Sequence, residues 1–186
     1  MPRHGPNQLR IIGGTWRSRR VSFPDVEGLR PSPDRVRETL FNWLAPIIQG
    51  ARCLDLYAGS GALGLEALSR GAAEVVFVDT DRRVIVQLEQ NFKLLGAHGA
   101  SVVQADALAF LQRPPRPFDV VFLDPPFRRD LLPACLEKLG AGWLASGARV
   151  YVENEAELGE PPLPPDWELL RSKQAGQVRY SLLQAP

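Results

Sequence analysis

Apolar positions along this chain follow two periods. From about residue 51 onward, short runs rich in Val, Leu and Phe alternate with longer stretches whose apolar residues recur every three or four positions. The runs read as buried strands and the stretches as amphipathic helices. Strands are predicted near 52–57, 74–79, 101–105, 118–124 and 148–153, with helices near 62–70, 81–95, 107–112 and 130–140. Gly71 and Gly96 stand where helix C-caps belong. Such alternation implies an α/β fold, a doubly wound and mostly parallel sheet with right-handed crossovers. Beyond a proline-rich loop at 161–165, segments 167–172 and 178–183 flank Gly176 and are expected to close the sheet as a C-terminal antiparallel pair.

Upstream, Ser32-Pro33-Asp34 supplies a capping hydroxyl, a proline for the first helical position and an acid for the first turn. Val36, Leu40, Trp43, Leu44 and Ile47 then share one helical face, and Pro46 limits the helix. Arg37 and Glu38 fall off that stripe, facing either a ligand or solvent. Residues 1–30, with Ile11-Ile12, two glycines and Val21-Ser22-Phe23, suggest a basic arm or hairpin preceding a single domain over 31–186.

Composition changes the picture in one respect. A net charge of +1 conceals +5 over residues 1–52 and −4 over the remainder. The basic end carries Arg3, Arg10, Arg17, Arg19, Arg20 and Arg30 with Trp16 among them. It is either an arm that grips phosphates or a solvated terminus. Cys53 and Cys135 lie in apolar settings and are expected to be reduced and buried. His4 and His98 are isolated, so no metal-ligand spacing exists and no metal is expected. With no apolar leader and no run long enough to span a bilayer, a cytoplasmic protein is expected.

Two corners carry chemistry. The strand at 118–123 runs into Asp124-Pro125-Pro126-Phe127, where consecutive prolines end the ladder. They leave a carboxylate, free carbonyls and an aromatic ring at a strand's carboxyl end, the place where open α/β sheets bind ligands. A planar amine has two hydrogens for the Asp124 carboxylate and the Pro125 carbonyl, and a face for Phe127. A plain strand-ending turn has the same sequence. At the other corner, Asp55-Leu56-Tyr57-Ala58-Gly59-Ser60-Gly61 passes from strand to helix, with Gly64 completing the dinucleotide spacing and Asp79 placed to hold ribose hydroxyls. Nicotinamide dinucleotides and S-adenosylmethionine both fit that pattern. Asp55 favours a cationic amino-acid tail over a pyrophosphate. Asp106 is suited either to an adenine amine or to a helix N-cap.

These residues, together with the opening Arg10-Ile-Ile-Gly-Gly14, the segment Arg30-Pro-Ser-Pro-Asp-Arg-Val-Arg37 and the long glycine turn, resemble the bacterial small-subunit ribosomal RNA guanine-N2 methyltransferase D family. The likeness runs nearly the whole chain in order, with mild departures at Ser32-Pro33, Tyr57, Asp79 and Phe127. It implies a Rossmann-like S-adenosylmethionine-dependent methyltransferase. The cofactor would lie near Asp55, Tyr57, Gly59, Gly61, Asp79, Thr80, Asp106 and Ala107, and the target base at Asp124, Pro125 and Phe127. Arg10, Arg17, Arg19, Arg20 and Arg30 would contact RNA. The implied partners are small-subunit ribosomal RNA and 30S particles with their proteins, for a protein acting as a monomer without membrane or metal. An adenine-N6 methyltransferase, a nicotinamide dehydrogenase and a non-catalytic RNA-binding assembly factor are the alternatives.

Overall fold

A computed structural model of the chain describes residues 7–186, so Arg3 and His4 lie outside the described residues. Strands β1 (Asn7–Arg10) and β2 (Arg20–Phe23) pair antiparallel as a hairpin. The first strand thus precedes Ile11-Ile12 instead of containing them. Helix α1 (Asp34–Leu44) follows, and the alternating unit comprises β3 (Arg52–Asp55), α2 (Ala62–Ser69), β4 (Glu74–Asp79), α3 (Arg82–Leu95), β5 (Ala100–Gln104), α4 (Ala107–Phe110), β6 (Phe118–Leu123), α5 (Leu132–Leu139) and β7 (Leu144–Glu155). Strands β8 (Glu168–Ala175) and β9 (Val178–Gln184) end the chain.

The seven-stranded sheet has the order β5-β4-β3-β6-β7-β9-β8. Its first five strands in that order are mutually parallel, and β9 pairs antiparallel with both β7 and β8, as the periodicity predicts. The strand order reverses between β3 and β6, where successive strands begin to be added on the other side of β3; this is the switch point of the topology, and it opens a crevice at the carboxyl edge.

Two apolar layers cover the sheet. On one face Leu40, Phe41 and Leu44 of α1, Leu65 of α2 and Leu88 of α3 pack over Cys53, Phe77 and Phe122. Leu9, Ile11 and Val21 of the hairpin join that same core. On the other face Phe110, Leu136, Leu139 and Trp143 cover Leu54, Val76 and Val121. Burial of each such side chain contributes about 1.5–3 kcal/mol. Both cysteines are fully buried and unbridged.

Helix α1 departs from expectation in two ways, both traceable to tertiary partners. Pro33 is its N-cap and no side chain caps it, because the Ser32 hydroxyl donates instead to Glu153. Arg37, expected to face ligand or solvent, is 2% exposed. Its guanidinium donates to the carbonyls of Ser32 and Arg10 and to Asp34, and lies 3.6 Å from Glu66. Glu66 itself is completely buried, accepting from the amides of Ile12 and Gly13 and from Arg70. This charged cluster clamps the first residues of the chain onto α2. Burial lowers the Arg37 pKa, with Asp34 and Glu66 acting in the opposite direction.

Candidate active site

The carboxyl edge gathers the acids singled out above. Asp55 ends β3, Asp79 ends β4, Asp106 follows β5 and Asp124 follows β6. Between β3 and α2 the glycine turn is shaped by two backbone requirements. Gly61 has φ +79° as the N-cap of α2. At Gly64 a Cβ would stand 2.2 Å from the Phe77 ring, so only glycine lets α2 approach β4 this closely.

Each acid in the glycine-turn corner also supports backbone. The buried Asp55 carboxyl accepts the Gly64 amide at 3.1 Å. Burial pushes it up to about 8, with Gly64 opposing and the neighbouring Asp79 adding to the rise. Asp79 accepts from Gly59 at 3.0 Å and from Asp81 at 2.9 Å, so it braces both the turn and the start of α3. Asp106 caps α4 by accepting from Ala109 at 3.1 Å. Tyr57 is half-buried with its hydroxyl 3.5 Å from the Cys135 sulfur, and burial raises its pKa. Thr80 is exposed and Ala107, the first residue of α4, is buried. Leu29 lies over the turn, with its Cγ 3.7 Å from where a Gly59 Cβ would be. A glycine turn, acids on three successive strand ends and an apolar cover suit an uncharged adenosine joined to a cationic centre. They suit a pyrophosphate poorly.

The second corner opens beside it. Pro125 is buried whereas Phe127 is 40% exposed, an uncommon position for so large an apolar ring. The loop after it holds Arg128 and Asp130 at φ +63° and +49°, and Glu155 at the end of β7 accepts the Arg128 amide. Asp124 retains some open surface, yet protein crowds its carboxyl closely. Desolvation, and then the adjacent Glu153 carboxyl, raise its pKa well above the usual carboxylate range. Glu153 is 7% exposed and accepts from the Tyr151 hydroxyl at 2.6 Å and the Ser32 hydroxyl at 2.7 Å, both on Oε1. Sequence reasoning missed Glu153 and Tyr151 because they read as the polar and aromatic end of an ordinary strand.

The arginines do not gather at one place. Arg10 is paired with Asp34 near the start of α1. Arg19 donates to the Leu94 carbonyl at the C-terminal end of α3, and the nearby Thr15 amide bonds Ser69 at the end of α2. The Arg17–Arg19 loop therefore lies at the amino edge of the sheet, opposite the two corners. Arg20 is exposed on β2, while Arg30 is exposed next to Leu29, beside the glycine turn. A polar groove of about 350 Å³ lies between α1 and the β8–β9 turn, with Arg35 on one wall and Lys173 on the other. Neither residue stands out in the sequence.

A doubly wound sheet with β9 inserted beside β7, a glycine turn with an acid on the next strand and an Asp-Pro-Pro-Phe corner define a Rossmann-like S-adenosylmethionine-dependent methyltransferase. Comparison with known proteins narrows this class. Residues 9–184 match the family model described as "Conserved hypothetical protein 95". "Ribosomal RNA small subunit methyltransferase D" of Escherichia coli K12 is 55% identical, the match covering 98% of this chain and 93% of that protein. The Haemophilus influenzae protein of the same name is 45% identical, over 95% and 94%. A solved Escherichia coli structure described as a methyltransferase superimposes with a TM-score of 0.90 at 52% identity, covering 96% of this chain and 98% of that one. The chain belongs to the ribosomal RNA small subunit methyltransferase D family.

Proposed function

We propose that the protein methylates the exocyclic N2 amine of a guanine in small-subunit ribosomal RNA. The carrying observation is the corner of Asp124, Pro125 and Phe127 immediately beside the glycine turn. The methyl donor, S-adenosylmethionine, supplies an electrophilic methyl group on a sulfonium. Asp55, Gly59, Gly61, Asp79, Thr80 and Asp106, with Tyr57 and Ala107 as apolar walls, are the residues that would hold it.

The N2 lone pair of guanine is delocalised into the ring, which makes it a poor nucleophile. Hydrogen bonds from its two hydrogens to Asp124 and to the Pro125 carbonyl favour a pyramidal nitrogen and direct its lone pair. Phe127 stacks on the base, which must be unpaired to expose the amine. Catalysis is then chiefly positioning. The groove between Arg35 and Lys173, together with Arg30, supports an RNA path along the carboxyl edge. Such a compact chain with dispersed arginines fits a monomer acting in the cytoplasm on assembled 30S particles, whose proteins present the target.

The test is transfer of labelled methyl from S-adenosylmethionine to small-subunit RNA, naked and assembled, from cells lacking this protein, followed by nucleoside identification. Labelled N2-methylguanosine is expected. Label in N6-methyladenosine instead would retain the corner and replace the target, whereas donor binding without transfer would favour a non-catalytic assembly role. Within the site, Asp124→Ala should reduce turnover with donor affinity nearly intact, and Asp79→Ala should chiefly weaken donor binding. Equal loss of both in each variant would refute that division.

A further inference from the structure

The carboxyl of Glu153 is a buried acidic group in the acceptor corner that the reaction as described leaves without a task. It lies at the carboxyl end of β7, next to the strand that delivers Asp124, and is nine-tenths buried. Two hydroxyls from different parts of the chain hold the same oxygen, Tyr151 from its own strand and Ser32 from the segment leading into α1. A buried carboxylate without a basic partner is costly. A cheaper way to end a strand would be an apolar residue, so the placement calls for a function.

We propose that Glu153 is a positioning residue for methyl transfer that acts through Asp124, the two carboxyls together receiving the proton that the guanine amine loses on methylation. The proposal rests on the guanine-N2 reading above. In the resting site one proton lies on Asp124, since a carboxyl desolvated beside a second one does not readily ionise. Ser32 and Tyr151 donate to Glu153, which favours the proton lying on Asp124, and the remaining Asp124 oxygen accepts one N2 hydrogen. As the nitrogen lone pair forms the bond to the methyl carbon, that carbon's bond to sulfur breaks and its electron pair stays on sulfur. The nitrogen now carries one proton too many. It passes that proton to Asp124 while the proton already on Asp124 moves to Glu153. The pair goes from one proton to two, and releases one to water after the product leaves.

Titratable groups facing this pair come from each packed element: Asp55 from β3 adds to the difficulty of ionising Asp124, Tyr151 from β7 donates to Glu153, and Tyr180 from β9 adds to the difficulty of ionising Tyr151. Burial followed by Glu153 raises the Asp124 pKa, in keeping with a proton held on Asp124.

Single-turnover methyl transfer by the full-length protein, measured against pH, tests this. Glu153→Gln keeps the size of the side chain and the acceptor oxygen for the two hydroxyls. The expected outcome is unchanged S-adenosylmethionine and RNA affinity, a rate lower by about 10- to 100-fold at neutral pH, and an acidic limb of the pH profile displaced upward. The displacement follows because Asp124 alone, still desolvated, must then be ionised before it can take the proton. Glu153→Asp should bring the limb back toward that of the wild type. A Glu153→Gln protein with the wild-type rate, or with a lower rate but an unmoved limb, would overturn the proposal. Loss of donor affinity would also overturn it, because the defect would then be structural. A wild-type protein that labels no guanine refutes the guanine-N2 reading instead, which separates the two failures.

Discussion

Removing the buried carboxylate of Glu66 should unfasten the front of the chain from its body. In Glu66→Ala the amides of Ile12 and Gly13 lose their acceptor, the guanidinium of Arg70 loses its counter-charge, and that of Arg37 loses one of two, keeping Asp34. Breaking a buried ion pair from one side costs about 3–5 kcal/mol, and each stranded amide about 1–3 kcal/mol. These losses share one cavity, and water entering it relieves several of them together, so they do not sum. A net loss of about 4 kcal/mol is expected, a large part of the roughly 5–15 kcal/mol that domains possess. Urea unfolding followed by circular dichroism measures it, with Glu66→Gln expected to lose about half as much because its amide oxygen still accepts. Arg37→Ala should cost at least about 1 kcal/mol less in the Glu66→Ala background than in the wild type. Limited trypsin digestion gives a local readout, since Arg17, Arg19 and Arg20 should be cut faster once the clamp is gone. A Glu66→Ala protein within about 1 kcal/mol of wild type, with no faster cleavage, would refute the view that this cluster anchors the N-terminal hairpin.

Asp55 should make stability depend on pH. Its folded pKa is raised from the ordinary carboxylate value to about 8, so its contribution is fully present in acid and is lost as pH rises toward 8. Asp55→Asn, whose amide oxygen still accepts from Gly64, should therefore gain on the wild type between about pH 4 and pH 8 in denaturation midpoints, and a constant difference would contradict this. Gly64→Ala should destabilise by about 1–3 kcal/mol through the clash with Phe77, and calorimetry showing no loss would mean that α2 can lift off the sheet freely. If RNA runs along the carboxyl edge, Arg35→Ala with Lys173→Ala should lower the slope of log affinity against log salt by about 1.4. Arg17→Ala with Arg19→Ala, at the opposite edge, should change it less; the reverse ranking would move the RNA path.

Local patterning accounts for the parallel sheet because its central strands β3, β4 and β6 are buried on both faces and read as continuous apolar runs. Boundaries shifted where the chain bends: β3 stops at Asp55 because Leu56 and Tyr57 already belong to the turn, and β7 begins at Leu144, earlier than the apolar run that starts at Ala148. What could not be read was long-range polar pairing. Arg37 looks like a surface residue until Glu66 is brought beneath it, and Ser32 looks like a helix cap until Glu153 competes for its hydroxyl. Nothing local distinguishes a carboxylate destined for a buried network from one that ends a strand in solvent. The four strand-end acids were legible because each follows an apolar run directly, whereas the dispersal of the arginines depends on how the hairpin folds back over α2 and α3.

The bond between Ser32 and Glu153 spans 121 residues. During synthesis at roughly 5–20 residues per second, about 6–24 seconds separate the emergence of its two ends. The glycine turn and the strands beside it are complete well before then, while β7, which pairs directly with β6, arrives later and brings Glu153 beside Asp124. A nascent or prematurely terminated chain ending before residue 150 would therefore possess much of the donor side with no finished place for a target amine. If the Asp124 corner receives the base as proposed, order of synthesis makes base capture a late property of the enzyme, so a half-made chain has no means of modifying RNA on the ribosome that is producing it.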